Sequence, residues 1–264
     1  MKSMLLKGVL LAAAAVLAGP LQAAADGVQI VQRMTSGGTT DTFRIQIDAS
    51  HMRMETTGPT GQKQTVIFDG ARQVMWMIDA TRRTYNEMTR ADVDRIGGQL
   101  SDAMAEMQKQ MANMPPEVQA MMRGRGMPGV AGAPARSEYR RAGSDRVGTW
   151  TCDKYDVYRN NQKTGEICTV APSALGFTPA DFAVTRQLAD FFQRLMPQGA
   201  DRLFAIGTEQ AQGYNGVPVK HVTMEGQRQT VIEVTEAGRQ AFPPSTFQVP
   251  AEYKKENFMN PGGR

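Results

Sequence analysis

Hydrophobic and polar positions alternate along Thr42–Asp48, with Phe43, Ile45 and Ile47 on one side and Arg44, Gln46 and Asp48 on the other. A period of two puts such residues on opposite faces of a β-strand, one buried and one wet. His51–Thr57 repeats the pattern, Met52 and Met54 against Arg53 and Glu55, and Val28–Met34 precedes both as a strand turning at Ser36-Gly37-Gly38. The stretch Gln64–Tyr85 breaks the alternation. Its segment Val74-Met75-Trp76-Met77-Ile78 is apolar at every position, and a strand of that kind is covered on both faces. Asp69-Gly70 just before it predicts a hairpin, because the tightest turns favour φ > 0 at both central positions. Five or six consecutive antiparallel strands form a meander, and its central strand needs two covers.

After Tyr85 the period changes. Ile96, Leu100, Met104, Met107, Met111 and Met114 recur at steps of 4, 4, 3, 4 and 3, one stripe of an α-helix. Pro115-Pro116 ends it, Glu117–Arg123 reads as a short second helix, and Gly124–Ala135 has the composition of a flexible linker. A Met-rich helical insert over 91–123 and a flexible loop over 124–137 are expected. Strands resume at Tyr139 and run through Trp150–Tyr158 and Glu166–Val170. Thr178-Pro179-Ala180-Asp181 then opens a helix whose apolar face is Phe182, Leu188, Phe191, Phe192 and Leu195. Val217–Met224 and Gln229–Thr235 are the last strands, before an extended, partly apolar tail. Strands, helical cover and strands again predict an α+β fold, one curved antiparallel sheet with helices on its concave side.

Lys2 and Lys7, the apolar run Val9–Leu17, Gly19-Pro20 and Ala23-Ala24-Ala25 have the layout of a secretory signal peptide over residues 1–25, cleaved before Asp26. A periplasmic or secreted location is expected, with residues 26–264 as a single domain. Losing the two lysines lowers the formal charge from +4 to +2, and no basic-aromatic patch appears, so nucleic acid is not an expected partner. The two cysteines, Cys152 and Cys168, are equidistant from Asn160. A hairpin centred there sets them face to face, with Lys154 opposite Glu166, and an exported protein would join them as a structural disulfide.

The signal peptide, the N-terminal meander, Val66-Ile67-Phe68-Asp69-Gly70 ahead of an apolar strand and a Tyr at its exit resemble the LolA/LolB-type carriers. In that superfamily an incomplete periplasmic β-barrel, lidded by helices, holds the acyl chains of lipoproteins. Gly216-Val217-Pro218-Val219 and Phe247-Gln248-Val249-Pro250-Ala251-Glu252-Tyr253 resemble secreted relatives of uncharacterised function. The resemblance implies an incomplete barrel, a hydrophobic ligand or lipoprotein as partner, and peripheral contact with envelope membranes or proteins. It carries no individual site residue over to this chain.

Of the eighteen methionines, sixteen remain once Met1 and Met4 are removed with the signal peptide. Thioethers fill irregular cores, line deformable apolar grooves, or bind soft ions such as Cu(I). Met52, Met54, Met75 and Met77 lie at period-two spacing on neighbouring strands. With Trp76, and with Leu100, Met104, Met107 and Met111 on the helix, they are the candidate lining of a ligand cleft. The competing reading has the same side chains packed directly on one another. Copper sites usually add His or Cys, and His51 and His221 are isolated, so no metal or other cofactor is expected. No nucleophile elbow, phosphate loop or triad appears, and no enzymatic activity is expected. The sequence therefore reads as a binder of a hydrophobic or amphipathic ligand, such as a lipid or lipoprotein acyl chain. The alternatives are an envelope structural or interaction protein without a small ligand and, behind it, a Cu(I)-binding protein.

Overall fold

The computed structural model describes residues 25–113, 137–193, 195 and 213–256. Residues 1–24 of the expected signal segment 1–25, the short helix expected at 117–123 and residues 124–136 of the expected loop 124–137 lie outside them. The N-terminal meander consists of β1 (Ala25–Ser36), β2 (Thr39–Ile47), β3 (His51–Thr57), β4 (Lys63–Asp69), β5 (Val74–Asp79) and β6 (Thr84–Thr89), followed by helix α1 (Arg90–Ala112). The second half holds β7 (Glu138–Val147), β8 (Trp150–Arg159), β9 (Gln162–Val170), helix α2 (Phe182–Phe192), β10 (Val217–Glu225), β11 (Arg228–Phe242) and β12 (Lys254–Glu256). The twelve described strands all join one curved, open sheet in the order β12-β6-β5-β4-β3-β2-β1-β11-β10-β9-β8-β7. The pairing of β1 with β11 joins the two meanders, through contacts such as Val28 with Arg239 and Met34 with Ile232.

Turn chemistry sets the registers, and it corrects two expectations. Asp69-Gly70 is not itself the tight turn. Gly70–Gln73 joins β4 to β5, and the residue with positive φ is Gln73, at 52°. The Asp69 carboxylate instead accepts the Arg72 N–H at 2.9 Å. The next hairpin repeats the device, with Asp79 accepting the N–H groups of Thr81 and Arg82 and Arg83 at φ 52°. Gly70 instead lies close against α2, where a Cβ would have to displace the end of the Gln187 side chain. In the cysteine hairpin, Asn160 and Asn161 do form the turn, at φ 52° and 62°. A bulge just after it offsets the ladder, so that Lys154 lies opposite Cys168 and Asp156 opposite Glu166. The Cys152–Cys168 disulfide and the 2.8 Å Lys154–Glu166 ion pair therefore both form diagonally.

Both described α-helices are entered through a Thr-x-x-Asp box. Thr89 donates its N–H and hydroxyl to Asp92 at 3.0 and 2.7 Å, and Thr178 donates the same pair to Asp181 at 2.6 and 2.7 Å. Each satisfies orphan groups at a helix start. Burial pushes the Asp181 carboxyl up, but the Thr178 N–H, its hydroxyl and the Arg239 guanidinium together hold it below the ordinary 3.8. A depressed folded pKa contributes stability that is present above the unfolded value and is lost as pH falls through the folded one. Asp181→Asn should therefore flatten the acid limb of a Tm–pH profile below about pH 4 relative to wild type. Parallel acid limbs in the two proteins would refute this assignment.

Candidate functional site

The two faces of β5 have different covers. On one face Phe68, Met75 and Met88 are buried with Val93 of α1 and with Val184, Leu188 and Phe191 of α2. Phe68 meets Phe191 with ring centroids 5.3 Å apart. On the other face Ile67, Val74, Trp76 and Ile78 are buried under Phe242 and Phe247, with Val249 and Tyr253 packed alongside. The C-terminal segment 243–256 is thus the second cover. Phe247 packs edge-on to Phe242 at 5.6 Å and stacks on His51 at 5.2 Å. Arg53 donates to the Thr246 carbonyl at 2.9 Å, and β12 pairs parallel to β6 at the sheet edge. Trp76 donates its indole N–H to Glu87 at 3.0 Å, and Lys255 donates to the same carboxylate at 2.6 Å. These donors hold Glu87 below the usual carboxylate range, Lys255 first and Trp76 next.

The cross-strand register brings four predicted residues together. Met52 lies opposite Phe68, and Met54 opposite Val66. Met75 and Met77 lie opposite Phe68 and Val66 from the other side. Met52 and Met75 sit at the end covered by α2, where Met75 is buried. Ile45, Val66 and Met77 are only half-buried, and Met54 is 36% exposed. Among the described residues the helical face therefore divides into a packed end and an apolar strip that is only partly covered. Trp76 does not belong to it: by alternation it points to the opposite face, under the C-terminal strap, and is 8% exposed. Helix α1 packs through Val93, whereas Leu100, Met104 and Met107 are exposed. Met111 falls within α1, its side chain outside the described set. Helical cover of the face by the described residues is accordingly partial.

His51, isolated in the sequence, is engaged in the fold. Its Nδ1 lies 3.0 Å from Asp48 Oδ1, and its Nε2 lies 3.9 Å from Asp69 Oδ2. Asp48 also accepts the Ser50 and His51 N–H groups at 2.8 and 2.6 Å, so the cluster locks the β2–β3 turn beneath the strap. Among the described residues, no group of three His, Cys, Asp or Glu side chains converges as a metal site. A shallow cavity of ≈ 160 Å³ lies apart from the methionines, lined by Gln32, Val219, Lys220, His221, Ile232 and Val234. That volume is below the ~300 Å³ at which pockets begin to enclose drug-sized ligands.

Sequence reasoning missed the strap. Its signal was available in Phe242, Phe247, Val249 and Tyr253, apolar residues in a tail that follows the last long strand and is free to reach an uncovered face.

No curated protein matches the chain by sequence. Among solved structures, an uncharacterised conserved protein from Thermus thermophilus is similar at TM-score 0.44 and 9% identity, over 88% of this chain and 90% of that one. The complex of Pseudomonas aeruginosa MucA and MucB is similar at TM-score 0.39 and 12% identity, over 87% of this chain and 57% of that one. The chain thus spans little more than half the length of the matched chain in that complex. Residues 129–253, just under half of the sequence, match the model of a family described as a domain of unknown function, DUF4412.

Proposed function

We propose that the protein is an exported, non-catalytic binding protein that takes a hydrophobic or amphipathic chain along the partly covered strip of its helical face. The observation that carries this reading is the strip itself. Ile45, Val66 and Met77 are half-buried and Met54 is exposed, in register beside the fully packed Phe68 and Met75. Methionine side chains are flexible and polarizable, so such a strip adapts to chains of differing shape. The buried disulfide supports an oxidising compartment. The resemblance to lipoprotein carriers makes the acyl chain of a lipid or lipoprotein the favoured ligand.

Each buried methylene contributes ~0.8 kcal/mol. Affinity for saturated fatty acids should therefore rise about tenfold for every two methylenes added, until the strip is filled. Displacement of a fluorescent fatty-acid probe measures this. Met54→Glu, at an exposed position, should weaken binding about tenfold or more with little change in Tm. Failure of every chain length to displace the probe, or indifference to Met54→Glu, removes the acyl-chain reading. One observation favours the second reading, an envelope interaction protein without a small ligand. The strip is exposed at Met54 and only half-buried at Met77 among the described residues. A polypeptide surface covers such a strip as well as an acyl chain does, and on that reading the probe experiment is blank.

A further inference from the structure

The strip on the helical face is one row of residues running across the strands, and its last members are polar. Ile45 lies opposite Met54, Met54 opposite Val66, and Val66 opposite Met77. The row then continues through Asn86 of β6 to Glu256 of β12, at the edge of the sheet. Neighbouring strands lie ~4.8 Å apart, so the apolar members span about 14 Å before the polar end begins. The row is amphipathic along its length.

Hydrogen bonding at the polar end is incomplete. Asn86 Oδ1 and Glu256 Oε2 are buried atoms without a hydrogen bond among the described residues, and so is Thr84 Oγ1, two positions along the same face of β6. Arg82 reaches Glu256 Oε2 only as an ion pair at 3.7 Å, and its shorter contact, 2.9 Å, goes to Asp79. Buried polar atoms in native folds nearly always have partners, and a dry acceptor costs free energy until a donor reaches it. Charges at this end balance, Asp79 and Glu256 against Arg82 and Lys254. Hydrogen-bond direction, rather than net charge, therefore selects what binds. A carboxylate only accepts, and Asn86 has its oxygen unpartnered. We propose that Asn86 and Glu256 form the headgroup subsite of the strip and take an uncharged hydrogen-bond donor, a primary amide or a hydroxyl. The apolar part of the same ligand lies over Met77, Val66, Met54 and Ile45. An ionised fatty acid sets carboxylate against carboxylate there and binds more weakly. This inference rests on the acyl-chain reading of the strip and adds to it the head chemistry and the ligand's direction across the sheet.

Displacement of the fluorescent fatty-acid probe from the mature full chain by dodecanamide and by methyl dodecanoate tests this. Both ligands are neutral and carry the same acyl chain, but only the amide donates hydrogen bonds. On an apolar strip alone the ester would bind more tightly, because the amide is costlier to take out of water. With the subsite, dodecanamide should displace the probe at about tenfold lower concentration than the ester. Asn86→Val, a residue suited to a strand, should weaken the amide about tenfold and leave the ester unchanged. Glu256→Leu, at the half-buried end of β12, should do the same. An amide no tighter than the ester in the wild-type chain overturns the proposal without any variant, because water then satisfies these oxygens. A preference that survives both variants also overturns it, by placing the donor's partner elsewhere. Either result leaves the acyl-chain reading standing as long as the ester binds. Displacement by neither ligand and by no fatty acid removes that reading, and this one with it.

Discussion

Replacing Phe247 by Ala should cost about 3–5 kcal/mol, the usual range for removing a buried aromatic side chain. Phe247 is 5% exposed and fills the space between Phe242, His51 and the outer face of β4 and β5. For a domain of this length each kcal/mol lowers Tm by roughly 2–4 °C, so the melt should fall by about 6–20 °C. The optical signature is more specific than the melt. Trp76 is held 8% exposed beneath the strap, whereas the only other tryptophan, Trp150, packs on the helical face and is partly buried. In a Trp150→Phe background, Phe247→Ala should red-shift Trp76 emission below the melting transition, as the strap loosens before the sheet does. Phe247→Leu keeps most of the apolar volume and should cost less than about 1.5 kcal/mol. A Phe247→Ala protein with wild-type emission and a melt within a degree of wild type would show that the strap is not the cover on which this face depends.

The need for that strap was legible before its identity was. An all-apolar Val74–Ile78 bounded by turn residues reads as a strand covered on both faces, and local pattern carries that much. Which chain segment supplies the second face is a non-local matter, because Phe247 lies far along the chain from Trp76 and nothing in local periodicity joins them. The same limit applies to β1 and β11, whose pairing closes a loop of nearly the whole chain. Consecutive hairpins were legible because turn residues such as Asn160-Asn161 act locally. The bulge beside that turn was not, and it moved the partner of Lys154 from Glu166 to Cys168. Period two correctly gathered Met52, Met54, Met75 and Met77. Parity also excludes Trp76 from any face shared by Met75 and Met77, so grouping all three as one lining went against the pattern itself. For α1 the stripe was visible, yet an apolar stripe says only that something covers it. The structure shows that the sheet does so for Val93 and not for Met104.

Removing the disulfide by Cys152→Ala/Cys168→Ala should have an effect of similar size through a different cause. The two cysteines are 16 positions apart, and closing a loop of about 15 residues removes roughly 3 kcal/mol of unfolded-chain entropy. They are 2% and 3% exposed, so the substitution also leaves small voids in the core cluster they share with Val147 and Val170. A Tm loss of at least about 6–12 °C follows. The competing support for this hairpin is its ion network, in which Lys163 reaches Asp156 at 2.7 Å and Glu166 at 2.6 Å, and Lys154 reaches Glu166 at 2.8 Å. Those groups are partly exposed, and pairs of that kind contribute about 0–1 kcal/mol each and are screened by salt. The two contributions therefore separate by experiment. Raising salt to ~1 M, where the Debye length is ~3 Å, should lower the melts of wild type and double variant by a similar small amount and leave the gap between them intact. A gap that closes in high salt would mean that the ion pairs, not the crosslink, hold β8 against β9. A wild-type chain that loses its disulfide to mild glutathione buffers without unfolding would instead give Cys152 and Cys168 a redox role, because structural disulfides resist that pool.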